Sequence, residues 1–225
     1  MPRTLRAATV ALLFLAAACG GAQGQVTPAP ADTASASAAD PRTNQLIPAG
    51  YGRLNQDDIS LRLVAGDMEI RFVPLDERVI RLLAPDAYRA LRDIRESRRA
   101  GIDSVSRRYG AAAPGVALVT FFSARSGQRF EPQNLALTVL NQEFRAIGIV
   151  PISANFTSQQ LQVRGQANAV YIFEMPIPVM QEFSMGYGSD RTDAWKGRVP
   201  IIEREFDRIS SRVRAAQNDT TTTRP

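Results

Sequence analysis

Two carboxylates stand three residues apart in the segment GYGSDRTDAWKGR, at 186–198, beside the only tryptophan and the only lysine of the chain. Asp190 and Asp193 at that spacing suit three kinds of chemistry. Two carboxyl groups flanking a glycosidic bond act as acid and base in its hydrolysis, and Glu182 is a third carboxylate close by in sequence. With Tyr187 and Trp195 as aromatic surfaces and Arg191 as a donor, the same segment suits a site that holds a sugar. The two aspartates also offer oxygens to calcium, but that ion takes about six to eight, and the sequence shows no further ligands. Tyr187, Asp190, Arg191, Asp193 and Trp195 are therefore the candidate ligand-binding residues. The plainer reading is a connecting loop in which Trp195 covers one end of the fold, because turns collect such polar residues anyway.

Most other catalytic chemistry is excluded by residue type. The chain has no histidine, so it lacks the commonest general base and metal ligand. It has one cysteine, Cys19, so internal disulfides and thiolate metal centres are ruled out. A serine–lysine pair at the usual spacing fails because Asp193 stands three residues before Lys196. No phosphate-cradling GxxxxGK[ST] loop occurs, and MGYGSDR completes only part of a dinucleotide fingerprint. The expectation is a non-enzymatic protein without cofactor or resident metal.

Arginine supplies the second candidate site. All but one of the 27 basic residues are arginine, set against 22 acidic residues for a net charge of +5. That balance is too even for a nucleic-acid binder. Arg89, Arg92, Arg98 and Arg99 nevertheless crowd one predicted helix and are candidate contacts for polyanions such as lipopolysaccharide phosphates or acidic glycans. Against this, the spacing predicts pairs of Arg89 with Asp93, Arg92 with Glu96 and Arg99 with Asp103, which would cancel the charge at a distance.

The N-terminus explains the single thiol. Arg3 and Arg6 precede an apolar run at 7–18, and small residues come next, in the order of a secretory signal. The run is too short to cross a hydrocarbon core of about 30 Å comfortably. Cys19 comes directly after Leu15-Ala16-Ala17-Ala18, which resembles the lipobox of bacterial envelope lipoproteins, although the pattern prefers leucine where Ala16 stands. The resemblance implies cleavage before Cys19 and a lipid on its sulfur. With Gly20 rather than aspartate next, it implies outer-membrane sorting, facing the periplasm. The alternative is ordinary cleavage and a secreted or soluble periplasmic chain. Residues 19–48 read as a lipidated cysteine and flexible tether, poor in apolar residues and rich in Ala, Ser, Thr, Pro and Gly. Expected partners are the membrane, through the anchor, and an envelope protein or glycan.

Positioning falls to residues 49–216, read as one α+β domain, with 217–225 as a disordered tail. Ile59, Leu61 and Leu63 alternate with polar residues, Ala65-Gly66-Asp67 turns, and Met68, Ile70 and Phe72 alternate again, predicting a hairpin. Residues 78–83 read as a further short strand. Pro85 opens a long arginine-rich helix ending near Gly110, with a bend or break where Arg98 enters the apolar stripe and Gly101 interrupts it. Residues 116–122 form a continuous apolar run, as in a strand buried on both faces. Strands are expected at 135–140, 144–150, around Leu161 and Val163, at 169–175 and at 180–187, with a turn at Asn141-Gln142. A one-face stripe of Ile201, Ile202, Glu205, Phe206, Ile209 and Val213 predicts a C-terminal amphipathic helix packed on the rest. The sum is an antiparallel β-sandwich with one long helix and one terminal helix. Phe130, Pro132 and Leu135, then Leu161, Gly165, Val170, Phe173 and Pro176, resemble the immunoglobulin-like domains of bacterial envelope lipoproteins. That similarity spans 116–187, implies the sandwich, and carries no functional residue with it.

Overall fold

A computed structural model describes residues Ile47 to Thr222, with side chains as far as Ala216. The expected signal, Cys19 and nearly all of the tether lie outside the described residues. Residues 47–222 adopt an α+β fold of two antiparallel sheets in a sandwich-like arrangement.

The hairpin forms as expected. β1 (Leu61–Ala65) and β2 (Met68–Pro74) pair with Leu63 opposite Ile70, around Gly66 at φ +59°. The predicted strand at 78–83 does not form. Asp76 caps a short helix there, α1 (Glu77–Ile80), by accepting the Arg78 N–H at 2.9 Å. Leu83 keeps only an isolated bridge to Leu54.

The arginine-rich segment is two helices, α2 (Pro85–Ser97) and α3 (Arg99–Tyr109), which meet at Arg98 with φ −107° and ψ 5°. Gly110 ends the second in the left-handed conformation that glycine favours. β3 (Gly115–Ser123) comes next as the central strand, and the two-residue β4 (Gln128–Arg129) after it. β5 (Leu135–Val139) and β6 (Gln142–Arg145) form a hairpin. Its turn is Leu140–Asn141, one residue before the expected place, with both residues at positive φ, a geometry whose twist suits paired strands. The expected strand at 144–150 is two strands, because the chain leaves one sheet after Arg145 and joins the other as β7 (Gly148–Pro151). A short helix α4 (Ala154–Ser158), β8 (Gln160–Leu161), β9 (Gln166–Phe173), β10 (Ser184–Tyr187) and β11 (Asp190–Thr192) lead to α5 (Val199–Thr222).

One sheet runs β1-β2-β3-β9-β7, the other β11-β10-β5-β6, and β4 pairs with β8 separately. Alternation along β3 assigns its two faces. Val119 and Phe121 stand opposite Phe72 and Ile70 and look toward the second sheet, where the Phe121 ring lies 5.9 Å from that of Tyr187. Val116 and Leu118 look the other way. Their register neighbours on that face are Val170 and Ile172 on β9, then Val150 and Gly148 on β7. Helix α3 lies on this face through a reciprocal fit. Gly101 on the helix leaves room for Val150, and Gly148 on the strand leaves room for Val105, so close that a Cβ on Gly148 would fall 2.5 Å from Val105. Gly101 thus serves packing, and the break falls at Arg98 instead.

Helix α5 buries Ile202, Phe206 and Ile209 against the turns at Gln56–Ile59 and Ala194–Gly197. Its nearly buried Glu205 accepts the Arg53 N–H at 2.8 Å and two bonds from Arg208 at 2.6 and 2.7 Å. Burial raises the Glu205 pKa, but these donors outweigh it and hold the carboxyl below its usual range.

Candidate functional site: an arginine-lined trough

The residues singled out at 187–195 do not converge. Tyr187 and Asp190 face each other across the β10–β11 hairpin. Tyr187 turns its ring inward onto Phe121, and its hydroxyl oxygen accepts the Glu131 N–H at 2.8 Å. Burial raises its pKa. Asp190 is exposed. Arg191 points to the opposite face of the sheet. There Gly186 leaves its stem room, and the guanidinium reaches Glu143 at 3.9 Å.

Trp195 is fully buried, lies with its ring 4.8 Å from that of Phe183, and donates its indole N–H to the Val179 carbonyl at 3.3 Å. An indole with no exposed face offers a sugar no platform, so Trp195 belongs to the end of the core. Asp193 is tied to Lys196 at 2.5 Å, and the hydrogen bond and charge of that lysine lower its pKa. Glu182 is exposed. Among the described residues, no group of three or more acidic, histidine or cysteine side chains is placed to hold a metal.

The four arginines named from sequence also separate. Arg89 pairs with Asp86 instead of Asp93. Arg99 lies 3.5 Å from Glu96 and 3.8 Å from Asp103, so it takes the partner expected for Arg92 and keeps its own. Arg98, at the break, has a buried Nε without a hydrogen-bond partner among the described residues. That leaves Arg92 with no carboxylate partner among the described residues.

Arg92 lines a trough of about 550 Å³ bounded by α1, α2, α3 and the start of β3. Arg81, Arg95 and Arg99 line it too, with Glu77, Glu96 and Asp103 as the carboxylates. Tyr88 and Val116 form apolar floor. The partners differ in kind. Arg81 is held by Glu77 at 2.6 Å and donates to the Ile47 carbonyl at 3.1 Å. Arg95 donates to the Leu75 carbonyl at 3.1 Å, a contact that fixes its position and leaves its charge unneutralised. Two smaller hollows adjoin the trough. One shares Glu77, Arg95 and Val116; the other shares Asp103 and reaches Arg107 and Gly110. Pro114 lines all three.

Sequence reasoning missed Arg81 and Arg95. Arg81 was hidden by the strand expected at 78–83. Arg95 was legible in principle, since it lies three residues after Arg92 on one helical face.

A separate hollow of about 100 Å³ is almost wholly apolar and lies between the ends of the sheets. Leu137, Val139, Phe144, Met175 and Pro176 are among its walls. Among the described residues no helix is long and apolar enough to cross a membrane. No protein-family model, curated protein or solved structure matches the chain.

Proposed function

We propose that this chain is a non-enzymatic binding module of the bacterial cell envelope, anchored by lipid at Cys19, and that its trough takes an acidic ligand. One observation carries the binding part. Arg92 and Arg95 sit three residues apart on one face of α2, line the same trough, and have no carboxylate partner among the described residues. Like charges at that spacing repel, and an anion between them removes the repulsion. Guanidinium groups match phosphate and carboxylate with paired hydrogen bonds. The ion pairs of Arg81 and Arg99 set the flanks and discriminate against ligands whose acidic groups are wrongly spaced.

The ligand class is therefore a molecule with closely spaced phosphates or carboxylates, as in lipopolysaccharide or an acidic glycan. The lipobox-like order around Cys19 supports the envelope location. The resemblance of 116–187 to immunoglobulin-like lipoprotein domains is consistent with a module that binds without catalysis. The carbohydrate-active alternative needs two of Asp190, Asp193 and Glu182 in one cleft, and the linings of the trough and of the apolar hollow contain none of them.

Co-sedimentation of the full chain with vesicles of phosphatidylcholine, with and without added lipid A, tests the proposal. Wild type should pellet more with lipid A, and the Arg92→Glu/Arg95→Glu variant should lose that increment while keeping any anchor-driven background. An undiminished increment in the variant would rule the trough out.

A further inference from the structure

We propose that two copies of this chain join edge to edge through β6, antiparallel, about a two-fold axis at Phe144. The inference is independent of the arginine trough and concerns the far sheet.

Among the described residues β6 is the last strand of its sheet, with β5 as its one ladder neighbour. The tight turn at Leu140–Asn141 fixes which backbone groups face outward. In a two-residue hairpin the flanking residues, here Val139 and Gln142, form a hydrogen-bonded pair, and pairs then alternate along the ladder. Gln142 and Phe144 therefore direct their N–H and C=O to β5. Glu143 and Arg145 direct theirs to the free edge. Among the described residues, none of these outward groups has a backbone partner outside the sheet.

A bare edge with charged side chains is ordinarily protected from pairing. Here the order of the charges inverts that effect for one partner, a second copy. Pair β6 with itself antiparallel, Phe144 opposite Phe144. Glu143 of each copy then stands opposite Arg145 of the other, twice. Those two pairs are the positions whose backbone groups point outward, so four N–H···O=C bonds close in the same register that matches the charges. A slip by two places sets Glu143 opposite Glu143, or Arg145 opposite Arg145, and repels. A slip by one turns the outward groups away from each other. One register satisfies both requirements.

The side chains fit that register. Glu143 and Arg145 lie on the outer face, already 2.7 Å apart within one strand. They would extend into an alternating ring of four charges. Phe144 points to the other face, half-buried, at the wall of the small apolar hollow with Val139 and Met175. The two Phe144 rings would meet across a non-hydrogen-bonded pair, where opposite side chains approach most closely, and would cover the hollow in each copy. An isologous contact of this kind closes on itself as a dimer.

Sedimentation equilibrium of the full chain in detergent, over a wide concentration range, tests this with three variants. Wild type should show a monomer–dimer equilibrium. Arg145→Glu and Glu143→Arg should each weaken it by about tenfold or more, because both cross-strand pairs become repulsive. The swap Glu143→Arg/Arg145→Glu should restore wild-type association to within about threefold, because the complement is regained in reverse. All substitutions lie on an exposed face, and thermal unfolding of each variant separates lost association from lost folding. A monomeric wild type, reversals without effect, or a swap that fails to restore association would each overturn the proposal. Association through the lipid alone would survive every substitution.

Discussion

Glu205 shows how single residues hold the terminal helix. Its carboxylate joins the Arg53 backbone and the Arg208 guanidinium, so Glu205→Gln should lower stability at pH 7 by about 1–2 kcal/mol, measured by urea unfolding. The folded pKa is depressed below the unfolded value. The stabilisation is therefore complete above the unfolded carboxyl range, about pH 4.3, and is lost as pH falls through the lower folded value. The wild-type advantage over Glu205→Gln should stay constant from about pH 7 to 5 and shrink below about pH 4. A constant advantage down to about pH 2.5 would show that the carboxylate charge is not what matters. Tyr171 works similarly without charge. Burial pushes its hydroxyl well above the usual range, and that hydroxyl donates to the Pro132 carbonyl at 3.0 Å. The Arg53–Glu205 and Tyr171–Pro132 bonds were not evident from residue type, because each joins residues far apart in sequence, whereas Arg208 lies only three residues from Glu205.

At the scale of elements, the apolar alternation of 61–72, the run at 116–122 and the stripe after Pro200 all became the expected strands and helix, since each pattern reports burial directly. The misreadings share a cause. Residues 78–83 have strand-like composition, but Asp76 caps a helix before them. Residues 144–150 are one apolar stretch divided between two sheets, and only tertiary pairing decides where the chain crosses. Spacing alone predicts the arginine pairs; Arg99 keeps its expected Asp103, but Arg89 pairs with Asp86 and Glu96 goes to Arg99 instead of Arg92.

The Gly101–Val150 and Gly148–Val105 contacts make a prediction at this scale. Gly148→Ala should force α3 away from β7 and cost about 1–3 kcal/mol. Pairing it with Val105→Ala should recover much of that loss in thermal unfolding. No recovery would mean that the strand backbone, not the helix contact, needs the glycine.

For the whole molecule, the sandwich-like sheets and the helical layer place two different surfaces apart. The trough lies among α1, α2 and α3, and the free edge of β6 belongs to the other sheet. A lipid on Cys19 would hold both near a membrane through the expected tether of 29 residues, 20–48. Metabolic labelling with an alkyne fatty acid in a bacterial host should mark wild type and leave Cys19→Ala unmarked. Label on neither chain would remove the anchor and leave the trough reading untouched.

The trough itself is tested most directly by a salt-resolved binding titration of the full chain against lipid A vesicles. It should compare wild type, Arg92→Ala/Arg95→Ala and Arg89→Ala. Wild-type affinity should fall steeply between low and physiological salt, because the contacts are ionic. The trough variant should bind at least about tenfold more weakly at low salt and lose most of that dependence, while Arg89→Ala, which removes a guanidinium already paired with Asp86, should track wild type. Equal losses in both variants would point to diffuse surface charge, and no loss in either would contradict an acidic ligand in the trough.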